Sequence, residues 1–233
     1  MTIFLGIDDT DSLESIGTGR LARKIADEIN GTFPVIAVTR HQFLVHPDIP
    51  YTSHNSGAAI WIDDGIPDNL LNDLFDRVSR IMKENFVEGS DPGIALARDA
   101  QISPAITSFA LDAKRLVLTQ EQARTLAAQA GILLQGLGGT EGGVIGALAA
   151  IGLASTGNDG RFLQLGNIRS MAGDQEVKDL LAAGISQVIT TDGKIITEGR
   201  VRVRKFPQPA CILGKPVILV EEKNGEYILV KRD

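Results

Sequence analysis

One stretch of this chain is a third glycine: ten of the thirty residues from 131 to 160. Such a tract cannot be one regular element throughout, because each glycine adds backbone freedom that folding must remove. Two uses fit it: the backbone comes close to a ligand, or it hinges between two folding units, and the two uses can coexist. Within the tract, residues 144–154 form an apolar run interrupted by Gly146 and Gly152. It reads as a helix that begins near 141–144 and ends about 154. Glycine inside a helix costs about 1 kcal/mol against alanine, so close packing or ligand contact must offset it. The run is too short to span a bilayer. The change in composition at 131–138 places the expected division between domains 1–132 and 133–233.

Around this tract the periodicities alternate. Residues 2–7 read as a buried strand and 18–30 as a helix, with Leu21, Ile25 and Ile29 on one face and Arg20, Arg23, Lys24, Asp27 and Glu28 on the other. Gly31 reads as its stop. Strands follow at 35–40 and 57–62, and amphipathic helices at 67–85 and 119–130. Thr119 and Gln122 form a capping-box pattern on the latter. The tail turns to β, with hairpin signals at Asp192-Gly193 and Asn224-Gly225. Helices and late hairpins together predict an α+β fold.

The chain has 233 residues, a formal net charge of −6 and one cysteine. The lone cysteine excludes a disulfide framework or a cysteine-based zinc site within this sequence. The acidic balance argues against general nucleic-acid affinity, which needs clustered cations, although a local basic surface remains compatible with it. The first residues lack a signal-peptide pattern, so a soluble, cytoplasmic protein with no membrane partner is expected.

The densest chemistry lies at Gly6-Ile7-Asp8-Asp9-Thr10-Asp11-Ser12. Three carboxylates and two hydroxyls at a strand end suit magnesium, which takes one or two carboxylates together with phosphate oxygens. They equally suit an Asx-rich turn. Gly17-Thr18-Gly19 then opens the first helix, where free N–H groups and the helix dipole favour phosphate; Thr18 also reads as an N-cap. The spacing is not that of a Walker loop. His41, His46 and His54 share one loop at spacings that match no metalloprotease pair, and read as solvent-facing. Asn55-Ser56-Gly57 reads as an anion-binding turn or a loop end. Cys211 reads as a buried small residue. Arg200, Arg202 and Arg204 share one strand face, either solvated or phosphate-binding.

These motifs, in order, resemble the archaeal tRNA agmatinylcytidine (agmatidine) synthetases. The resemblance rests on Gly6–Ser12 with Thr18, on Pro47-Asp48-Ile49-Pro50-Tyr51 with Asn55–Ala58, and on Asp91-Pro92-Gly93. It rests also on the run from Val144 to Gly152 and on Pro207–Gly214. The series spans essentially the whole chain. It implies a two-domain α+β protein, with an N-terminal α/β kinase-like domain followed by a ferredoxin-like domain. It implies ATP and magnesium as cofactors, with Asp8, Asp9 and Asp11 holding the metal and phosphates and acting catalytically with Thr18, which matches the family's phosphorylated threonine. Thr10, Ser12, Gly17, Gly19, Asn55, Gly57, Gly142, Gly143 and Gly146 would line the nucleotide site.

The sequence also departs from that pattern. Thr52, Ser53 and His54 stand where the family carries basic residues, Gly142-Gly143 where it carries Arg-Gly, and Gly19 in place of a threonine. The family's OB-fold and zinc ribbon are not expected in these 233 residues. The expected function is ATP- and magnesium-dependent phosphoryl transfer or amine ligation on a small-molecule or nucleoside-like substrate. A nucleotide-sensing module without catalysis is the alternative, and tRNA modification is expected only if another subunit supplies the RNA-binding modules. The acceptor and the oligomeric state are left open.

Overall fold

In the computed structural model, residues 2–10, 17–49 and 55–230 are described. Asp11, Ser12 and His54 lie outside them, as do Pro50 to Ser53. The fold is mixed α+β. Strand β1 (Thr2–Asp8) lies between β3 (Ser56–Asp63) and β4 (Gly93–Arg98), all antiparallel. β2 (Val35–Gln42) flanks β3, and β5 (Leu133–Gly136) flanks β4.

Two helix layers cover this first sheet, and the alternation along its strands explains both. Ile3, Leu5 and Ile7 of β1, with Ile60, Ile62, Ile94 and Leu96, face α1 (Thr18–Ile29) and α2 (Leu71–Asn85). The α1 stripe of Leu21, Ile25 and Ile29 is buried as its spacing predicts. The opposite face carries Gly6, Ala59, Ala95 and Ala97, and here α5 (Val144–Thr156) packs. Ten of the thirteen α5 residues are buried. The helix is sandwiched between this small-residue face and α3 (Pro104–Asp112) with α4 (Gln120–Ala130). An apolar run without a polar face is what such a position requires. Thr119 and Gln122 form the expected capping box, and Gly131 ends α4 at φ 66°.

The expected division at 132/133 falls between α4 and β5. Beyond it, β5 and α5 return to the first sheet and its core, so residues on both sides of that point build one unit. The later strands begin with β6 (Arg161–Gln164), which pairs with β2 and carries the sheet onward. The sheet continues through β11 (Ala210–Ile212), β12 (Lys215–Lys223), β13 (Glu226–Val230), β10 (Arg200–Val203) and β7 (Gly173–Glu176). The short helix α6 (Val177–Ala182) precedes β8 (Gln187–Thr190). The Asp192-Gly193 turn joins β8 to β9 (Ile195–Ile196) and Asn224-Gly225 joins β12 to β13, both antiparallel as the turn chemistry predicts. No helix among the described residues is long and apolar enough to cross a membrane.

Candidate functional site

The predicted residues converge at one end of the first sheet. Asp8 ends β1 opposite Gly93 of β4, which in turn faces Gly136 of β5. The start of α5 sits directly on this end, and glycines make the approach possible. A Cβ on Gly93 would lie 2.1 Å from the Gly143 carbonyl carbon, one on Gly143 2.5 Å from the Asp91 carbonyl oxygen, and one on Gly146 1.7 Å from Asp8 Oδ2. The Asp8 carboxylate thus rests against the first turn of α5, where the helix dipole favours negative charge. Asp9 follows at φ 51°, a left-handed conformation uncommon outside glycine.

The start of α1 faces the same space. Gly17 takes φ 80° and precedes the helix, so Thr18 is the first helical residue and not the N-cap. Its hydroxyl accepts a hydrogen bond from Thr10 Oγ1 at 3.2 Å, and both threonines are buried. A Cβ on Gly19 would meet Leu163 of β6 at 2.8 Å, so this glycine lets α1 abut the later strands.

A cleft of about 1400 Å³ lies between these elements and the C-terminal strands. Asp8, Asp9, Gly17, Thr18, Gly19, Asn55, Gly142, Gly143 and Gly146 all line it. Thr10 is buried behind Thr18, and Gly57 is buried beneath Phe43 and the Gly146 carbonyl. Asn55 also braces the loop, its Nδ2 donating to the Leu44 carbonyl at 2.6 Å. Asp11 and Ser12 fall outside the described residues.

Several lining residues were not among the predicted site residues, although Arg202 and Arg204 had phosphate binding as one of their two readings. Asp91 joins the acidic end, its Oδ1 accepting the Thr140 N–H at 2.5 Å. Arg20, Arg23, Arg40 and Arg161 line the cleft, and from the far side so do Arg169, Arg202, Arg204 and Lys205. The expected solvent face of α1 therefore points Arg20 and Arg23 into the cleft. The negative net charge conceals a local basic wall. Phe43, Ile49, Leu116 and Val117 add an apolar rim.

Among the described residues, no group of three His, Cys, Asp or Glu side chains could hold a metal ion. Asp8 and Asp9 offer hard oxygen donors at one end of the cleft. That set suits magnesium only with phosphate oxygens completing its shell, which is its usual manner of binding.

His41 corrects an expectation. β2 runs two residues past Arg40, so His41 lies on a strand and is fully buried rather than solvent-facing. Its Nδ1 is 2.9 Å from Asp159 Oδ1 and its Nε2 2.8 Å from Thr39 Oγ1. The Trp61 indole N–H donates to Thr39 Oγ1 at 2.8 Å, and Lys114 Nζ donates to Asp159 Oδ2 at 2.6 Å. A carboxylate only accepts, so Nδ1 carries the proton and Nε2 accepts from Thr39. Burial pushes the His41 pKa down, outweighing Asp159. Burial raises the Asp159 carboxyl, yet His41 and Lys114 together hold it below its ordinary value. This chain of bonds ties β2 to the α5–β6 connection. His46 is partly exposed beside Asp48. Cys211 is buried as expected, its Sγ 3.4 Å from the Gly157 carbonyl.

No protein-family profile matches the chain. It is 28% identical over 159 residues to the tRNA 2-agmatinylcytidine synthetase TiaS of Methanosarcina mazei, covering 64% of this chain and 35% of the relative. The crystal structure of the apo synthetase superposes with a TM-score of 0.56 at 26% identity, over 65% of this chain and 35% of that one. Over that span the chain is homologous to the tRNA 2-agmatinylcytidine synthetases. The synthetase complex with an isoleucine tRNA and ATP gives the same TM-score and identity, over 36% of its length. An uncharacterised protein of Methanocaldococcus jannaschii is also 28% identical, over 152 residues that make up 65% of this chain and 50% of the relative. The chain thus spans about a third of the length of the synthetases it matches, and the matches cover about two thirds of the chain rather than its whole length.

Proposed function

We propose that this protein is an ATP- and magnesium-dependent enzyme that transfers a phosphoryl group, or ligates an amine through such a transfer, on a small-molecule or nucleoside-like acceptor. The observation that carries this reading is the cleft itself. Asp8, Asp9 and Asp91 meet the glycine-lined starts of α1 and α5 at one end, and cations line the opposite wall. Homology to an ATP-binding synthetase supports the same reading. In it, Asp8 and Asp9, with Asp11, would hold magnesium, which would neutralise charge on the triphosphate oxygens. The α1 start cradles phosphate on its backbone N–H groups. An acceptor oxygen bonds to the γ-phosphorus as ADP leaves, and the arginines stabilise charge that spreads over the transferring group.

The test is to incubate the protein with ATP and magnesium, measure ADP or AMP release, and look for phosphothreonine at Thr18. Asp9→Asn should reduce nucleotide turnover at least a hundredfold while leaving thermal stability nearly unchanged. An unaltered rate in that variant would remove the acidic turn from the mechanism.

A second reading is a nucleotide-sensing module, and one observation favours it: the Thr18 hydroxyl is covered, with only 7% of the residue exposed. It predicts ATP-dependent thermal stabilisation without turnover. Modification of tRNA, the activity named for the matched synthetases, is a third reading, and co-purification of tRNA with the protein from its native cell would point to it.

A further inference from the structure

We infer that Asp91 is a positioning residue: its carboxylate and its carbonyl fold the glycine segment 138–143 over the start of β4, and that fold fixes the Asp8 carboxylate at the cleft. This rests on the proposed nucleotide site and adds to it a residue that acts through Asp8 rather than on the ligand.

The first observation is that Asp91, although it lines the cleft, is engaged by the chain itself. Its Oδ1 accepts the Thr140 N–H at 2.5 Å, and its backbone carbonyl accepts the Gly143 N–H at 2.8 Å. The next carbonyl, that of Pro92, accepts the Leu137 N–H at 2.8 Å. Two consecutive residues thus fasten the segment 137–143 at its start, middle and end. The middle bond is the one made by a side chain, and a bond to a carboxylate is roughly twice as strong as a neutral one.

The second is the shape of the segment. Gly139 and Glu141 take φ 58° and 63°, in the left-handed region. A glutamate stays there only where its surroundings hold it. From outside, α4 does so: Arg124 donates to Glu141 Oε2 at 2.6 Å, and Gln120 Nε2 donates to the Thr140 carbonyl at 2.8 Å. From inside, the Asp91 carboxylate does so. A Cβ on Gly139 would lie 2.0 Å from Asp91 Oδ1, so this glycine leaves room for the carboxylate.

The third is what the segment carries. Gly143, held by the Asp91 carbonyl, immediately precedes α5. A Cβ on Gly143 would lie 2.9 Å from the Asp8 carbonyl oxygen, and Gly146 of the first α5 turn abuts Asp8 Oδ2. Asp8 is also paired with Gly93 at the β4 start. Asp8 therefore sits between the β4 start and the α5 start, the two places that Asp91 ties together. A displacement of about 1 Å at an acting group can cost about a hundredfold in rate.

The experiment compares wild type, Asp91→Asn, Asp91→Ala and Gly139→Ala as full chains. Asparagine keeps an oxygen to accept the Thr140 N–H but removes the charge. Four quantities are measured: amide hydrogen exchange over 138–146, the Asp8 carboxyl carbon resonance, ATP turnover against magnesium concentration, and urea unfolding as the folding control. Asp91→Ala and Gly139→Ala should speed exchange, move the Asp8 resonance and lower kcat, each rate by about tenfold or more. The KM for ATP and the magnesium requirement should stay within about threefold, and Asp91→Asn should stay near wild type throughout. If Asp91→Asn is as impaired as Asp91→Ala and needs more magnesium, Asp91 is a ligand of the metal and the inference fails. Unchanged exchange or an unmoved Asp8 resonance in Asp91→Ala also overturns it, as does a loss of turnover that only follows the unfolded fraction. If the wild type turns over no ATP, the ATP reading fails, and exchange with the Asp8 resonance still decides whether Asp91 positions Asp8.

Discussion

The two faces of the first sheet use opposite means of packing. Toward α1 and α2 the strands present Ile3, Leu5, Ile7, Ile60 and Ile62, and stability comes from buried side-chain volume. Toward α5 they present Gly6, Ala59, Ala95 and Ala97, and the helix backbone closes onto the strand backbone. Closeness on the second face is what brings the α5 start against Asp8 and Gly93, so that face builds the cleft. The first face supports it from behind.

One substitution at neighbouring positions breaks this comparison most sharply, because alanine is too small on one face and too large on the other. Leu5→Ala leaves a cavity in a fully buried site and should cost about 2–5 kcal/mol. Gly6→Ala would place a Cβ 2.2 Å from the Ala147 carbonyl oxygen, a backbone atom that cannot swing aside. It should cost about 1–3 kcal/mol by overpacking. Urea unfolding of both variants measures the pair. A neutral Gly6→Ala would mean that α5 is not held as closely as its glycines indicate.

Gly146→Ala should separate site from stability on the α5 face. The added Cβ displaces the Asp8 carboxylate, 1.7 Å from its ideal position. Helix propensity favours alanine over glycine by about 1 kcal/mol, which offsets part of the strain. The expected result is at least a tenfold loss of ATP affinity with a melting temperature changed by only a few degrees. Unchanged ATP affinity would show that the position of Asp8 does not govern nucleotide binding.

How far each region could be read from sequence follows the same division. The large-residue face announces itself through period: Leu21, Ile25 and Ile29 on α1, and Leu74, Val78, Ile81 and Met82 on α2, are buried where spacing puts them. The Asp-Gly and Asn-Gly turns were equally legible, because positive φ restricts the residues that fit. The cleft was most legible on its acidic side, where Asp8 to Thr18 are close in sequence, with the glycines at the α5 start and the alternating Arg202 and Arg204 as further signals. Its basic wall joins Arg20 and Arg23 to Arg169, Arg204 and Lys205 across well over a hundred residues, and no local pattern links them. Arg20 and Arg23 occupy the polar face of an amphipathic helix, which period alone assigns to water. The place of β5 and α5 in the first unit was hidden by the glycine tract, which looks like a hinge whether it joins domains or packs backbones. The burial of His41 did leave a signal: Ala37, Thr39 and His41 alternate on one side of β2 once the strand is carried two residues further.

That histidine supplies the smallest expected effect and the last contrast between the faces. Toward α1 and α2 the strands present apolar side chains, whereas the edge of the α5 face carries the chain Trp61, Thr39, His41, Asp159 and Lys114. Burial keeps His41 neutral in the fold and depresses its pKa below the ordinary 6.5. Below that value the unfolded chain takes up a proton that the folded one refuses. Stability is therefore unaffected above about pH 7 and falls as pH drops from 6.5 toward the lowered folded value. The slope for one proton is at most about 1.4 kcal/mol per pH unit. The Asp159 contribution differs in window: its lowered pKa stabilises the fold above the ordinary 3.8 and is lost only below it. Urea unfolding of the wild type and of His41→Asn between pH 7.5 and 5 tests this. The variant should be less stable at pH 7.5, where it loses a buried hydrogen-bond partner, and flatter between pH 6.5 and 5. Parallel curves for the two proteins would mean that the pH dependence arises from groups other than His41.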